Sequence, residues 1–146
     1  MREVELVALL GDDEPVFVLK DKNSFDAVPI WIAEPEFTSI AIAWRGGRFP
    51  RPLSHDLTCG LLEALGARLA RVEISEIKEG VFYAKVYVSR DGEEPKAVDA
   101  RPSDAIALAL RTKSPIFVAE EVFAQAGVEW NLKKILLPRR PEETAG

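Results

Sequence analysis

From residue 2 to residue 10 apolar and polar positions alternate, with Val4, Leu6, Ala8 and Leu10 on one side, and this alternation predicts a half-buried strand. The turn-forming run Gly11-Asp12-Asp13-Glu14-Pro15 comes next, and a second apolar run, Val16 to Leu19, completes an expected hairpin. A third short strand is predicted over Val28 to Ile32. Glu34-Pro35-Glu36 then precedes Phe37, Ile40, Ala41 and Trp44 at helical spacing, which predicts a helix from Pro35 to Trp44 with acids at its positive end. Two glycines and two prolines make Arg45 to Pro52 a loop. Leu53, Leu57, Leu61, Ala64 and Leu65 mark an amphipathic helix, with Ser54 as a candidate N-cap and Gly66 as a left-handed close.

Residues 69 to 77, 81 to 89 and 95 to 99 read as three antiparallel strands, joined at Glu79-Gly80 and at Asp91-Gly92, the latter a tight-hairpin signal. A helix over Pro102 to Arg111, a short strand over Ile116 to Val118 and a last helix over Glu120 to Ala126 complete the pattern. The expected architecture is a single α+β domain over residues 1–130, with an antiparallel-rich sheet and about four helices. A charged, proline-containing tail over 131–146 is expected to fray.

A chain of 146 residues with 47% hydrophobic and 29% charged positions has the composition of one globular domain and can bury a core without staples. The net charge of −5 argues against nucleic-acid binding by bulk electrostatics and leaves only a local basic patch to do it. Cys59 is the only cysteine, so no internal disulfide forms, and no apolar run is long enough to span a bilayer. The charged start lacks a signal peptide's apolar core, and a cytoplasmic location away from membranes is expected.

Chemistry concentrates in "DARPSDAIALALR", residues 99 to 111, where Asp99, Arg101, Ser103 and Asp104 stand at the mouth of a helix with almost no polar face. With Arg101 as the cap, Pro102 takes the first helical position and Asp104 the third, near the unsatisfied N–H groups. A cap and a buried Asp-Arg pair would account for much of this structurally. A cap needs only one such group, however, and two carboxylates converging at a strand-to-helix junction can hold a divalent cation beside a phosphate bound by arginine. Asp99 and Asp104 are therefore the candidate ligands for Mg or Mn, and the chain shows no motif that asks for an organic cofactor.

His55, the only histidine, precedes Asp56 in "SHD" and is the natural candidate for proton transfer, although such a pair at a helix start also serves as a solvated cap. Ser54, His55 and Asp56 are chain neighbours and do not form a triad among themselves. His55 and Cys59 have zinc-ligand spacing, but two ligands do not make a site. Trp44, Arg45, Arg48, Phe49 and Arg51 combine cations with aromatic faces in one loop, suited to weak binding of single strands; alternatively the two aromatics anchor the loop in the core. Phe82, Ala84, Val86 and Val88 read as sheet core, with Tyr83 and Tyr87 on the opposite face. A strand apolar on two faces asks for cover on both, and a homo-oligomer is expected.

"DARPSDAIALALR", with "RPLSHDL" at 51 to 57 and "GVFYAKV" at 80 to 86, closely resembles the bifunctional nuclease (BFN) domain, over about residues 3 to 126. The resemblance implies an α+β domain, often oligomeric, with hydrolysis of phosphodiester bonds in RNA and DNA. The chain ends soon after the matching region, so the domain is expected to act alone or with copies of itself rather than through a further C-terminal module. The expected polar cluster comprises Arg51, His55, Asp56, Asp99, Arg101 and Asp104, with Arg45, Arg48 and Arg51 contacting substrate. The competing expectation is a non-enzymatic ligand-binding or assembly domain in which the Asp and Arg residues form a structural network.

Overall fold

A computed structural model describes residues 1–11 and 13–131, so the expected tail lies outside the described residues apart from Asn131. The elements run β1 (Arg2–Leu10), β2 (Val16–Asp21), β3 (Asp26–Trp31), α1 (Glu34–Trp44), α2 (Ser54–Ala64), β4 (Ala67–Lys78), β5 (Val81–Arg90), β6 (Lys96–Ala100), α3 (Pro102–Thr112), β7 (Ile116–Val118), α4 (Glu120–Ala126) and β8 (Val128–Glu129). Eight strands form one sheet in the order β6-β5-β4-β7-β1-β2-β3-β8. The N-terminal hairpin and the later meander are thus two halves joined by β7, which runs parallel to β4 and antiparallel to β1. The architecture is α+β, as the pattern predicts.

Three local details differ from the pattern. A register shift between Leu6 and Ala8 interrupts the alternation of β1: Leu6 enters the main core, whereas Ala8 packs with Val18, Ala27 and Trp130 in a smaller cluster. An extra residue in a strand turns the side chains beyond it to the other face. The two-residue turn joins β4 to β5, where Glu79 and Gly80 both have positive φ and Lys78 pairs with Val81. Asp91-Gly92 sits instead in a wider connection, and pairing to β6 resumes only at Val88 with Lys96.

α3 is the buried helix. Pro102, Ser103 and residues 105–109 are buried, and α1 and α2 pack against it while it rests on β4 and β5. Small side chains at Ala105, Ala107 and Ala109 let neighbours approach on several sides. α2 is oriented differently from expectation. Cys59 and Leu62 pack against the core, while Leu57, Leu61 and Leu65 on the far face are 57%, 55% and 63% exposed. β5 has only one apolar face: Phe82, Ala84, Val86 and Val88 belong to the core, and the other carries Tyr83, Lys85 and Tyr87, with Arg71 stacked 3.7 Å over the Tyr87 ring. Among the described residues no helix is long and apolar enough to cross a membrane.

Candidate active site

Three helices begin around one cleft. Its volume is about 450 Å³, and Glu36 and Ser39 of α1, Ser54 and His55 of α2, and Arg101 and Asp104 at the start of α3 line it. The N-cap positions are Ala33, Leu53 and Arg101, and none supplies a side-chain cap. Ser54 is the first residue of α2 rather than its cap. The polar groups at these starts stand inside the first turns instead: Glu34 and Glu36 in α1, Asp56, which accepts from the Leu53 N–H, in α2, and Asp104 in α3.

His55 is fixed through both ring nitrogens, with Nε2 2.8 Å from Asp104 Oδ1 and Nδ1 2.6 Å from Ser39 Oγ. The hydrogen bond to His55 holds the Asp104 carboxyl down at about 2 against the opposing effect of burial, with Arg101 adding to the depression. Asp104 is therefore an acceptor at neutral pH. In the neutral ring, Nε2 then bears the proton and Nδ1 is left to accept from the Ser39 hydroxyl. Ser39 Oγ also accepts from Arg111 Nη2 at 3.1 Å.

Arg101 donates from Nε to Asp104 Oδ2 at 2.9 Å and reaches Glu36 Oε1 at 3.1 Å, yet its side chain is 58% exposed. The expectation that Arg101 and Asp104 form a buried pair is corrected: Arg101 stands at the mouth of the cleft, and the buried guanidinium is that of Arg111, 9% exposed, at the other end of α3. Arg111 donates to Asp56 Oδ1 at 2.7 Å, Ala107 O at 3.0 Å and Ser39, and so binds α1, α2 and α3 together. Burial pushes the Asp56 carboxyl upward, but the hydrogen bonds from Arg111 and from the Leu53 N–H outweigh it and hold it below the usual range. Asp56 is thus the brace of the α2 start and does not line the cleft.

Asp99 does not converge with Asp104. It lies exposed on β6 opposite Lys85, and because Ala100 packs against the core, period-2 alternation turns Asp99 to the other face of the sheet. Both oxygens of Asp104 are already engaged, and among the described residues no group of three or more His, Cys, Asp or Glu side chains is placed to hold a metal ion. The side chains as arranged do not fit the expected divalent cation. Cys59 is partly buried, and burial raises its thiol pKa, which suits a core contact rather than a ligand.

Arg45, Arg48 and Arg51 are exposed on the loop between α1 and α2 and do not line the cleft, although Arg51 lies two residues before Leu53, which does. Trp44 and Phe49 are also exposed, so they do not anchor the loop in the core. Glu36, Ser39 and Arg111 are the members of the cluster that the sequence pattern does not single out. Glu36 Oε2 is buried and has no hydrogen-bond partner among the described residues, leaving an acceptor inside the cleft for a ligand's donor.

Fold and cleft together define a small α+β domain whose cleft holds an Asp-His-Ser hydrogen-bonded chain beside one exposed arginine. Residues 17–131 match the family described as Bifunctional nuclease domain, and the chain belongs to it. An uncharacterized protein of Mycobacterium tuberculosis (strain H37Rv) is 40% identical over 148 residues, covering 99% of this chain and 84% of that protein. Bifunctional nuclease 1 of Oryza sativa subsp. japonica is 30% identical over 128 residues, covering 84% of this chain and 39% of that protein. Bifunctional nuclease 2 of Arabidopsis thaliana is 28% identical over 93 residues, covering 62% of this chain and 28% of that protein. The chain therefore spans two-fifths or less of these two nuclease-named relatives.

Proposed function

We propose that the domain hydrolyses phosphodiester bonds of nucleic acid in this cleft. The observation that carries the reading is the fixed Asp104–His55 pair opening beside Arg101 in a cleft where the starts of three helices meet. Helix N-termini and a guanidinium attract phosphate, while His55, oriented by Asp104, moves the proton that the reaction requires. The unsatisfied Glu36 oxygen is suited to a sugar hydroxyl or a base amino group. The exposed Trp44, Phe49, Arg45, Arg48 and Arg51 would hold the strand leading into the cleft by stacking and phosphate contact. No step is routed through a metal ion.

The test is hydrolysis and binding of single-stranded RNA and DNA oligonucleotides by highly purified protein, with and without chelator. Hydrolysis is expected to persist in chelator. Binding is expected to be weak and steeply salt-dependent, because few phosphates meet cations on an acidic protein. Arg48→Ala with Arg51→Ala is expected to abolish it in a fluorescence anisotropy titration; full binding at low salt would locate the contact elsewhere.

A second reading, self-association, is favoured by the outer face of α2. Leu57, Leu61 and Leu65 are evenly spaced about Leu61, so the stripe reads the same in reverse and is self-complementary across a two-fold axis. Gly60, beside that centre, keeps the surface low; a mid-helix glycine costs about 1 kcal/mol relative to alanine, and among the described residues nothing lies against it. The expected assembly is a dimer with α2 antiparallel, Leu57 meeting the partner's Leu65. Light scattering should give a dimer for the unmodified chain and a folded monomer for Leu61→Glu; a monomeric unmodified chain at 100-fold varied concentration would refute it.

A further inference from the structure

We propose that Ser39 is the nucleophile of the reaction and that hydrolysis passes through a phosphoseryl intermediate. This rests on the cleft being the hydrolytic site. Ser39 lies within α1, where a serine hydroxyl commonly bonds back to its own helix. Here it donates to His55 Nδ1 at 2.6 Å instead, in line with the Asp104 contact on the opposite ring nitrogen. The order carboxylate, imidazole, hydroxyl is that of an activated serine, assembled from α3, α2 and α1. Arg111, donating to the same oxygen, stabilises negative charge as it develops there. Ser39 is 5% exposed and what it exposes faces the cleft that Arg101 rims.

In the first step the Ser39 oxygen attacks phosphorus and its proton passes to His55 Nδ1, giving an imidazolium held by Asp104. The bond from phosphorus to the leaving oxygen breaks on the opposite side, and that oxygen takes its proton from bulk solvent at the open mouth of the cleft. In the second step a water molecule entering by the same mouth attacks the phosphoserine and gives up a proton to bulk solvent, the bond to Ser39 breaks, and Ser39 recovers its proton from His55. One water is consumed overall and no oxidant or metal is needed.

Two in-line displacements retain configuration at phosphorus, whereas direct attack by water inverts it. Hydrolysis of a single-diastereomer phosphorothioate oligonucleotide in isotopically labelled water is expected to proceed with retention; inversion would overturn the proposal. Independently of any nucleic-acid substrate, a fluorophosphonate probe should label Ser39, as read by peptide mass spectrometry. Labelling should vanish in Ser39→Ala and slow by about 10²-fold in His55→Ala. Ser39→Ala with a preserved circular dichroism spectrum and undiminished hydrolysis would also overturn it. Labelled Ser39 in a protein without nuclease activity would instead sink the proposed substrate and keep the nucleophile, so the two failures are distinguishable.

Discussion

His55→Ala is expected to slow phosphodiester hydrolysis by about 10²–10⁴-fold, the range for removing a positioned general acid-base group. The ring is held at both nitrogens, and its alignment toward the cleft is already in place without substrate. Loss of the imidazole removes the proton acceptor beside Ser39 and leaves the Asp104 carboxylate bound to Arg101 alone. Because Asp104 keeps that partner and is 32% exposed, the fold should survive. The check is single-turnover kinetics alongside a thermal melt. A variant that melts like the unmodified chain and still cleaves at its rate would remove His55 from the chemistry.

Arg111→Ala is expected to be the most destabilising change in the network. Its guanidinium joins three helices from a site almost sealed from water, and truncation leaves Asp56, Ser39 and the Ala107 carbonyl short of a donor. Breaking one side of a buried pair costs about 3–5 kcal/mol, and partial exposure of Asp56 lowers this to about 2–4 kcal/mol. Arg101→Ala, at an exposed ion pair, should cost about 1 kcal/mol or less. The two melts side by side decide the matter. Equal losses, or a larger loss for Arg101→Ala, would contradict the assignment of Arg111 as the brace and Arg101 as the ligand-facing cation.

The strands of the hairpin and meander, and all four helices, were legible because period-2 and period-3.6 patterns and turn residues are local signals. Packing partners are not local. The leucines of α2 announce an amphipathic helix equally well whichever face meets the core, and only the contact of Cys59 and Leu62 with the core settles which one does. β7 is three residues long, too short for its pattern to reveal that it bridges two halves of a sheet. The site was half visible. His55, Arg101 and Asp104 stood out because a lone histidine and charges beside an apolar helix are unusual. Glu36, Ser39 and Arg111 each have an ordinary local role, as an acid in a first turn, a small helix residue and a cation in a last turn. Their convergence exists only in three dimensions. Asp99 is turned away from Asp104 by the strand's alternation beside Ala100, and that Ala100 is the inward residue shows only once the sheet is assembled.

The central claim, that phosphodiesters are bound and turned over in the cleft at His55, meets its most direct test in the imidazole itself. Because His55 is the only histidine, a two-dimensional NMR spectrum of the labelled ring reports one site without assignment. Titration with an oligonucleotide carrying non-cleavable bridging methylenephosphonate linkages should shift both ring nitrogens, with the same apparent Kd as binding measured by anisotropy. Saturated binding, or continuing hydrolysis of a cleavable strand, with the imidazole signals unmoved would place the chemistry elsewhere on the protein.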